Sequence, residues 1–147
     1  MDKKQQPKPS YLIGIDPGIN NGIAYLDTNT GKLIAVTSCN LHTLFNLVLS
    51  ELDKPIFVYI ENPNTWVPFK NVSMEVMEMR RSGAGAVKQT YRHIIEFLED
   101  HGIEYRPTRL QGSMKKVSSE WFKKFTGWAG KTNQHGRDAA MLVYGRM

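Results

Sequence analysis

The chain has a single cysteine, Cys39, among its 147 residues. One thiol excludes an internal disulfide framework and a thiolate zinc cluster, and it is typical of proteins from a reducing compartment. No apolar run approaches the roughly 20 residues that a membrane-spanning helix needs. No apolar stretch that would make a secretion signal follows the polar residues 1–9, so we predict a disordered tail there.

Acidic residues are scarce in the second half of the chain. Residues 1–79 carry six Lys and Arg against eight Asp and Glu, whereas residues 80–147 carry thirteen against six. An acidic first half suits a metal site, and a basic second half suits contacts with a phosphate backbone. Many soluble proteins are mildly basic without binding nucleic acid, so charge alone leaves this function open.

The spacing of apolar residues predicts one α/β domain over residues 10–147. The predicted strands are 11–16, 22–27, 32–38, 56–61 and 103–106; the predicted helices are 41–52, 72–79, 87–101, 113–125 (capped by Ser113) and 134–146, with a glycine-containing break at 80–85. Hairpin-linked strands followed by strand–helix alternation favour a mixed five-stranded sheet flanked by helices.

Three acidic residues lie where a charge is unusual. Asp16 and Glu61 each end a buried strand, and Asp138 lies near the start of the last helix. If the two strands are neighbours, the carboxylates repel each other, and a divalent cation relieves the repulsion. Oxygen ligands favour Mg²⁺ or Mn²⁺, and two such ions about 4 Å apart can clamp a phosphodiester. His135 shares a helix face with Asp138 and could complete the second metal position.

Each of these residues also has an ordinary explanation. Asp16 opens an Asp-Pro-Gly sequence that readily forms a turn. Glu61 could be the polar end of a core strand, and Asp138 could complement the helix dipole. His135 could be a capping or surface residue. The metal-site interpretation gains weight because all four explanations would have to hold together.

Three segments resemble motifs of the RuvC family of Holliday-junction resolvases, within the RNase H-like, retroviral integrase superfamily. Residues 13–22 (IGIDPGINNG) resemble the first motif, a strand ending in Asp-Pro-Gly with a glycine shortly after. Residues 58–61 (VYIE) resemble the second, a strand ending in glutamate. Residues 133–140 (NQHGRDAA) resemble the last, a metal ligand, two further residues and then Asp-Ala. The similarity spans nearly the whole chain.

The resemblance implies an RNase H-like mixed sheet and a homodimeric endonuclease that nicks paired strands of four-way DNA junctions. It implies that Asp16, Glu61, His135 and Asp138 form the catalytic site and hold two Mg²⁺ ions, with Mn²⁺ as a substitute. His135 would either bind metal or orient the attacking water. No nucleotide cofactor and no membrane are expected. The implied location is the bacterial cytoplasm, on the nucleoid or in a phage-infected cell.

Basic and aromatic side chains are candidates for holding the DNA. Phosphate contacts are predicted for Arg80, Arg81, Lys88, Arg106, Arg109, Lys115 and Lys116, although several could simply be solvated. The resemblance places Lys115 and Lys116 near the scissile strand. In the loop after Glu61, Trp66 or Phe69 could stack on an unpaired base or pack the loop onto the core. Helical spacing predicts that Trp121, Phe122 and Phe125 are core residues.

Other functions stay open at this stage. A nuclease for RNA–DNA hybrids, or a YqgF-like RNA-processing enzyme, would share the same acid geometry. An actin-like ATPase also begins with a strand and turn of this kind, although two lobes normally enclose its nucleotide and this chain has room for one. A non-catalytic junction-binding module would keep the acids only for folding. Cleavage of labelled junctions, hybrids and hairpin RNA would separate these functions.

Overall fold

The computed structural model describes residues 8–63 and 74–146, with residues 74–82 and 84 described by their backbone alone. In chain order the elements of this part are β1 (Tyr11–Asp16), β2 (Asn21–Asp27), β3 (Leu33–Cys39), α1 (Leu41–Leu49), β4 (Ile56–Glu61), α2 (Met74–Asp100), β5 (Tyr105–Thr108), a 3-10 turn (Gly112–Met114), α3 (Ser119–Thr126) and α4 (Gln134–Val143).

The strands form one mixed sheet in the order β3-β2-β1-β4-β5. The first three strands pair antiparallel because tight turns connect them. β4 and β5 run parallel to β1, since α1 and α2 carry the chain back to the starting edge each time. The predicted α/β fold, with three antiparallel strands, two further parallel strands and flanking helices, is therefore confirmed.

Helices cover both faces of the sheet. Leu12 and its neighbours on one face pack with Phe122 of α3 and Ala139 of α4. Ile13 and its neighbours on the other face pack with Leu44 of α1, together with side chains of α2. Alternate residues of a strand point to opposite faces, so a strand covered on both sides must be apolar throughout. This explains the continuous apolar runs before Asp16 and Glu61.

Two glycines let α4 lie directly against the sheet. A Cβ on Gly14 would collide with the carbonyl oxygen of Ala139, and one on Gly22 would collide with that of His135. Backbone-to-backbone packing of this kind is possible only without a side chain. The two glycines thus set the position of the helix that carries His135 and Asp138.

The predicted break at residues 80–85 was wrong, because α2 runs without interruption from Met74 to Asp100. Gly83 and Gly85 lie within this helix, and a Cβ at either position would meet nothing within 4 Å. A glycine in a helix interior costs about 1 kcal/mol relative to alanine, which good helix formers on both sides can offset. The two helices predicted at residues 72–79 and 87–101 are therefore one helix, α2.

Two details after β4 also differ from the sequence prediction. β5 lies two residues later than expected, at Tyr105–Thr108. The helix predicted from Ser113 begins instead at Ser119, where the Ser118 side chain accepts a hydrogen bond from the Trp121 backbone N–H at 3.1 Å. Ser113 lies in the preceding 3-10 turn. Both Ser113 and Ser118 can cap a helix, and local sequence alone did not distinguish them.

The core prediction for α3 was right for only one residue of three. Phe122 is buried at 1% exposure, but Trp121 and Phe125 are 40% and 45% exposed. The part of α3 that packs on the sheet is narrow and contains only Phe122. The rings of Trp121 and Phe125 lie outside this buried part.

Within residues 8–63 and 74–146 no helix has both the length and the apolar character needed to cross a bilayer. The predicted disordered tail falls largely on residues outside the described part. At its end, the carbonyl oxygen of Pro9 accepts a hydrogen bond from the Thr28 hydroxyl at 2.7 Å.

Candidate active site

Asp16 and Glu61 end neighbouring parallel strands at the same edge of the sheet. Ile15 of β1 pairs with Ile60 of β4, so the next residue of each strand carries its carboxylate to the same place. Both side chains are buried, with residue exposures of 6% for Asp16 and 5% for Glu61. In open α/β sheets, ligand sites form outside the carboxyl ends of parallel strands. Here that edge holds two buried acids.

The pKa of Asp16 rises from 3.8 to about 9 in this setting. The largest cause is burial, which removes the water that stabilises the charged form; a hydrogen bond with Glu61 and repulsion from its charge follow. The charge of Asp138 adds to the rise, and Lys115 opposes it. A proton therefore stays on Asp16 at neutral pH unless another cation replaces it.

α4 brings the two remaining predicted residues to the same edge. The Nδ1 atom of His135 lies 3.3 Å from an Asp16 carboxylate oxygen, and the imidazole side chain is 47% exposed. One oxygen of Asp138 accepts hydrogen bonds from the Lys116 backbone N–H and from the Gln134 amide, both at 3.0 Å. The structure thus places His135 in contact with Asp16 and Asp138 close enough for its charge to act on Asp16.

No three His, Cys, Asp or Glu side chains in the described ranges converge into a preformed metal cage. Mg²⁺ does not require one, because it keeps several waters and is commonly held by one or two carboxylates and a substrate phosphate. The buried pair of Asp16 and Glu61 supplies hard oxygen donors. A divalent cation at this pair would offset the repulsion from Glu61 that contributes to the raised pKa of Asp16. These residues fit a magnesium site.

A basic loop covers this edge of the sheet. The Lys115 ammonium lies 3.7 Å from a Glu61 carboxylate oxygen. Lys116 has a left-handed backbone with φ 52°, which is uncommon for a residue with a side chain. Such a conformation costs roughly 1–2 kcal/mol and persists where surrounding contacts impose it. Here it directs the Lys116 N–H to Asp138.

Arg137 clamps that loop to α4, a role that the sequence analysis did not predict. Its Nε donates to the Val117 carbonyl at 2.9 Å. Its Nη1 donates to the carbonyl and hydroxyl oxygens of Thr132 at 3.1 and 2.9 Å. The guanidinium is turned toward the protein and ties together both segments that flank the site. Its position in the last motif, one residue before Asp138, was the sequence feature that could have identified Arg137.

Replacing Arg137 with lysine should loosen this clamp. A single ammonium does not reproduce the planar fork of donors, and hydrogen bonds from a charged group contribute about 1.5–3 kcal/mol each. We expect Arg137→Lys to lower the free energy of unfolding in urea by about 2 kcal/mol. The exposed Arg92 of α2 provides the matched control, Arg92→Lys. Equal stabilities of the two variants would contradict a clamp at Arg137.

Asn21 is a second residue that the sequence analysis missed. It is fully buried; its side-chain oxygen accepts the Gly18 N–H at 3.1 Å, and its amide donates to the Cys39 carbonyl at 3.3 Å. These bonds hold the turn that follows Asp16 against the end of β3. The available signal was the position of this asparagine inside the first motif, just before the start of the predicted second strand.

The structure describes the side chains of only some of the remaining residues that were predicted to contact DNA. Arg109 is exposed and directly follows Thr108, the β5 residue paired with Glu61, so it lies at the same edge as the carboxylates. Lys88 and Arg106 are exposed on α2 and β5. The side chains of Arg80 and Arg81 lie outside the described part, as do Trp66 and Phe69, the two residues predicted to stack on an unpaired base.

The raised pKa of Asp16 predicts that the metal-free protein loses stability with rising pH. The unfolded chain releases this proton near pH 3.8 and the folded chain near pH 9, so the folded state binds it more tightly. The resulting stabilisation is fully present below about pH 4 and declines as pH approaches about 9. In EDTA, the free energy of unfolding should fall by several kcal/mol more for wild type than for Asp16→Asn.

Urea titrations of both proteins from about pH 5 to about pH 9 measure this difference. The two proteins share all other titrating groups, so the difference between the two curves reports Asp16 together with its interaction with Glu61. Added Mg²⁺ in mildly alkaline buffer should raise the melting temperature of wild type but not of Asp16→Asn. Parallel pH curves for the two proteins would contradict the assignment of the raised pKa to this residue.

Neither the known protein-family models nor the curated proteins compared with this chain give a match.

Proposed function

We propose that this protein is a Mg²⁺-dependent endonuclease that resolves four-way DNA junctions. The observation that carries the proposal is the meeting of Asp16 and Glu61, two buried carboxylates from neighbouring strand ends, with His135 and Asp138 beside them. These residues are far apart along the chain. An arrangement that costs stability without a cation is expected where the cation is part of the function.

The charges around the acids suit a phosphodiester substrate. Lys115 and Arg109 flank Glu61 from the covering loop and from the end of β5. They offer positive charge beside the carboxylates, where a nucleic-acid phosphate would enter. The preference for a four-way junction rests on the resemblance of the three motifs to the RuvC family and on the basic second half of the chain.

The residues have separable roles in this proposal. Asp16 and Glu61 hold Mg²⁺, with Asp138 completing the acidic edge. Bound Mg²⁺ supplies the positive charge that activates water and stabilises the leaving oxygen in phosphodiester hydrolysis. His135 contacts Asp16 and leaves much of its ring in solvent, which suits orienting a water toward the phosphate. The Lys116 backbone N–H and Gln134 hold one oxygen of Asp138 and so fix its rotamer.

A cleavage assay on end-labelled four-way junctions with Mg²⁺ tests the proposal. Two nicks at symmetric positions on opposing strands are the expected result, since a homodimer would present two equivalent sites. Linear duplex of the same sequence is the matched control substrate and should be cut far less. Mn²⁺ should substitute for Mg²⁺, and EDTA should stop the reaction.

The same assay separates the alternative substrates. Preferential cleavage of an RNA–DNA hybrid or of hairpin RNA would replace junction resolution with another nuclease activity at the same acids. Junction binding without cleavage at any Mg²⁺ or Mn²⁺ level would contradict the enzyme proposal. It would leave a binding module in which the acids serve another purpose.

A further inference from the structure

A column of three aromatic rings lies on α3 and the end of α4, with Trp121 and Phe125 exposed and Tyr144 half-buried. The Trp121 and Phe125 rings stack with centroids 4.7 Å apart and planes 20° from parallel. The Tyr144 ring packs edge-on against Phe125 at 5.3 Å, and its hydroxyl donates to the Phe125 carbonyl at 3.3 Å. Trp121 is the outer member of this column, so it is the ring on which a further flat group can stack.

The two α3 rings are unusual among the exposed apolar side chains. Trp121 and Phe125 are 40% and 45% exposed, and the other large exposed apolar residues of the described part are all aliphatic. Two aromatic rings held parallel at the surface form a preorganised flat platform. Stacking on such a platform is the usual way in which proteins bind unpaired nucleobases.

The surroundings of the platform are strongly basic. Residues 115–131 carry five lysines and one glutamate. Lys124 projects about 60° around the helix from Trp121, on the side away from the buried Phe122. The same segment begins at Lys115, which contacts Glu61. Five residues separate Lys115 from Trp121 in the chain, so the Cα atoms of these two residues lie at most about 20 Å apart.

We propose that this α3 platform, formed by Trp121, Phe125 and Lys124, binds an unpaired DNA strand. A base stacks on Trp121 while the adjoining phosphates pair with Lys124 and its basic neighbours. The inference rests on the proposed nuclease function and deepens it by assigning a site for single-stranded DNA that leaves the crossover. A second copy of the chain suits the platform poorly, because two identical basic segments would then face each other.

Binding of a fluorescent oligothymidylate, followed by anisotropy in EDTA, tests the platform without any cleavage. Trp121→Ala should weaken binding roughly tenfold, and Trp121→Phe should restore most of the affinity because the flat ring remains. Lys124→Gln should lower the slope of log affinity against log salt by about 0.7 in magnitude, the value for one phosphate contact on a single strand. Matched controls are Leu52→Ala, at 42% exposure, and Lys32→Gln, both away from α3.

Affinity within twofold of wild type for Trp121→Ala, with an unchanged melting temperature, would overturn the proposal. It would also be overturned if Trp121→Ala changed a dimer into a monomer in sedimentation while oligothymidylate affinity stayed constant. The nuclease proposal fails separately: a wild-type protein that binds the oligonucleotide through Trp121 but never cuts junctions keeps the platform and loses the activity. Junction cleavage without any Trp121-dependent binding would keep the nuclease proposal and overturn the proposed platform.

Discussion

Asp16→Asn is expected to lower Mg²⁺-dependent junction cleavage by about 1,000-fold or more while leaving junction affinity within about twofold of wild type. Asparagine keeps the size of the side chain but removes the charge that holds the cation. It also removes the repulsion with Glu61 and the buried charge behind the raised pKa of Asp16. The variant should therefore be folded and, without metal at alkaline pH, more stable than wild type.

Initial cleavage rates on labelled junctions, with affinity measured in parallel in Ca²⁺ or EDTA, provide the test. Asp100→Asn is the matched control, because Asp100 is exposed at the end of α2. The control should cut at the wild-type rate. Cleavage by Asp16→Asn at a rate comparable to that of the control would remove Asp16 from the catalytic site and with it the central part of the proposal.

Gly22→Ala is expected to lower both stability and activity, although Gly22 has no side chain to offer to the reaction. A methyl group at this position would collide with the His135 carbonyl oxygen and approach the Ala139 side chain. The backbone of α4 would have to move away from β2. Overpacking of this kind costs about 3 kcal/mol, and a shift of His135 and Asp138 by about 1 Å should slow cleavage roughly 100-fold.

Gly83→Ala is the control for the chemical change itself. A Cβ at Gly83 meets nothing within 4 Å, so this substitution in α2 should leave cleavage unchanged and raise the free energy of unfolding by up to about 1 kcal/mol. If the close approach of α4 matters, the two variants should change the free energy of unfolding in opposite directions, and only Gly22→Ala should slow cleavage. A Gly22→Ala protein as active and as stable as wild type would show that α4 is not held by this contact.

The local sequence was sufficient to predict most of the fold and the strand ends that carry Asp16 and Glu61. The apolar runs that end at Asp16 and Glu61 marked two buried strands, and both strands have the predicted bounds. His135 and Asp138 were identified because they are three residues apart on a helix and share a face. These are short-range signals, since the side-chain period of a strand or helix is set by neighbouring residues.

Where one local signal competed with another, the prediction was wrong. Gly83 and Gly85 indicated a break, yet α2 continues because the flanking residues favour a helix and nothing crowds the glycines. Trp121 and Phe125 had the spacing of core residues, yet only Phe122 between them reaches the sheet. Periodicity shows that a helix has an apolar face, but only packing decides how wide the covered part of that face is.

By itself the sequence determined the element types, the strand ends that carry the acids and the basic bias of the second half, because each depends on residues close together in the chain. Only the tertiary structure decided that Asp16 shares a proton-binding environment with Glu61, that Arg137 faces inward to Val117, and that the α3 rings remain in solvent. Those outcomes depend on which distant segments pack together, and burial and electrostatic coupling arise only from that packing.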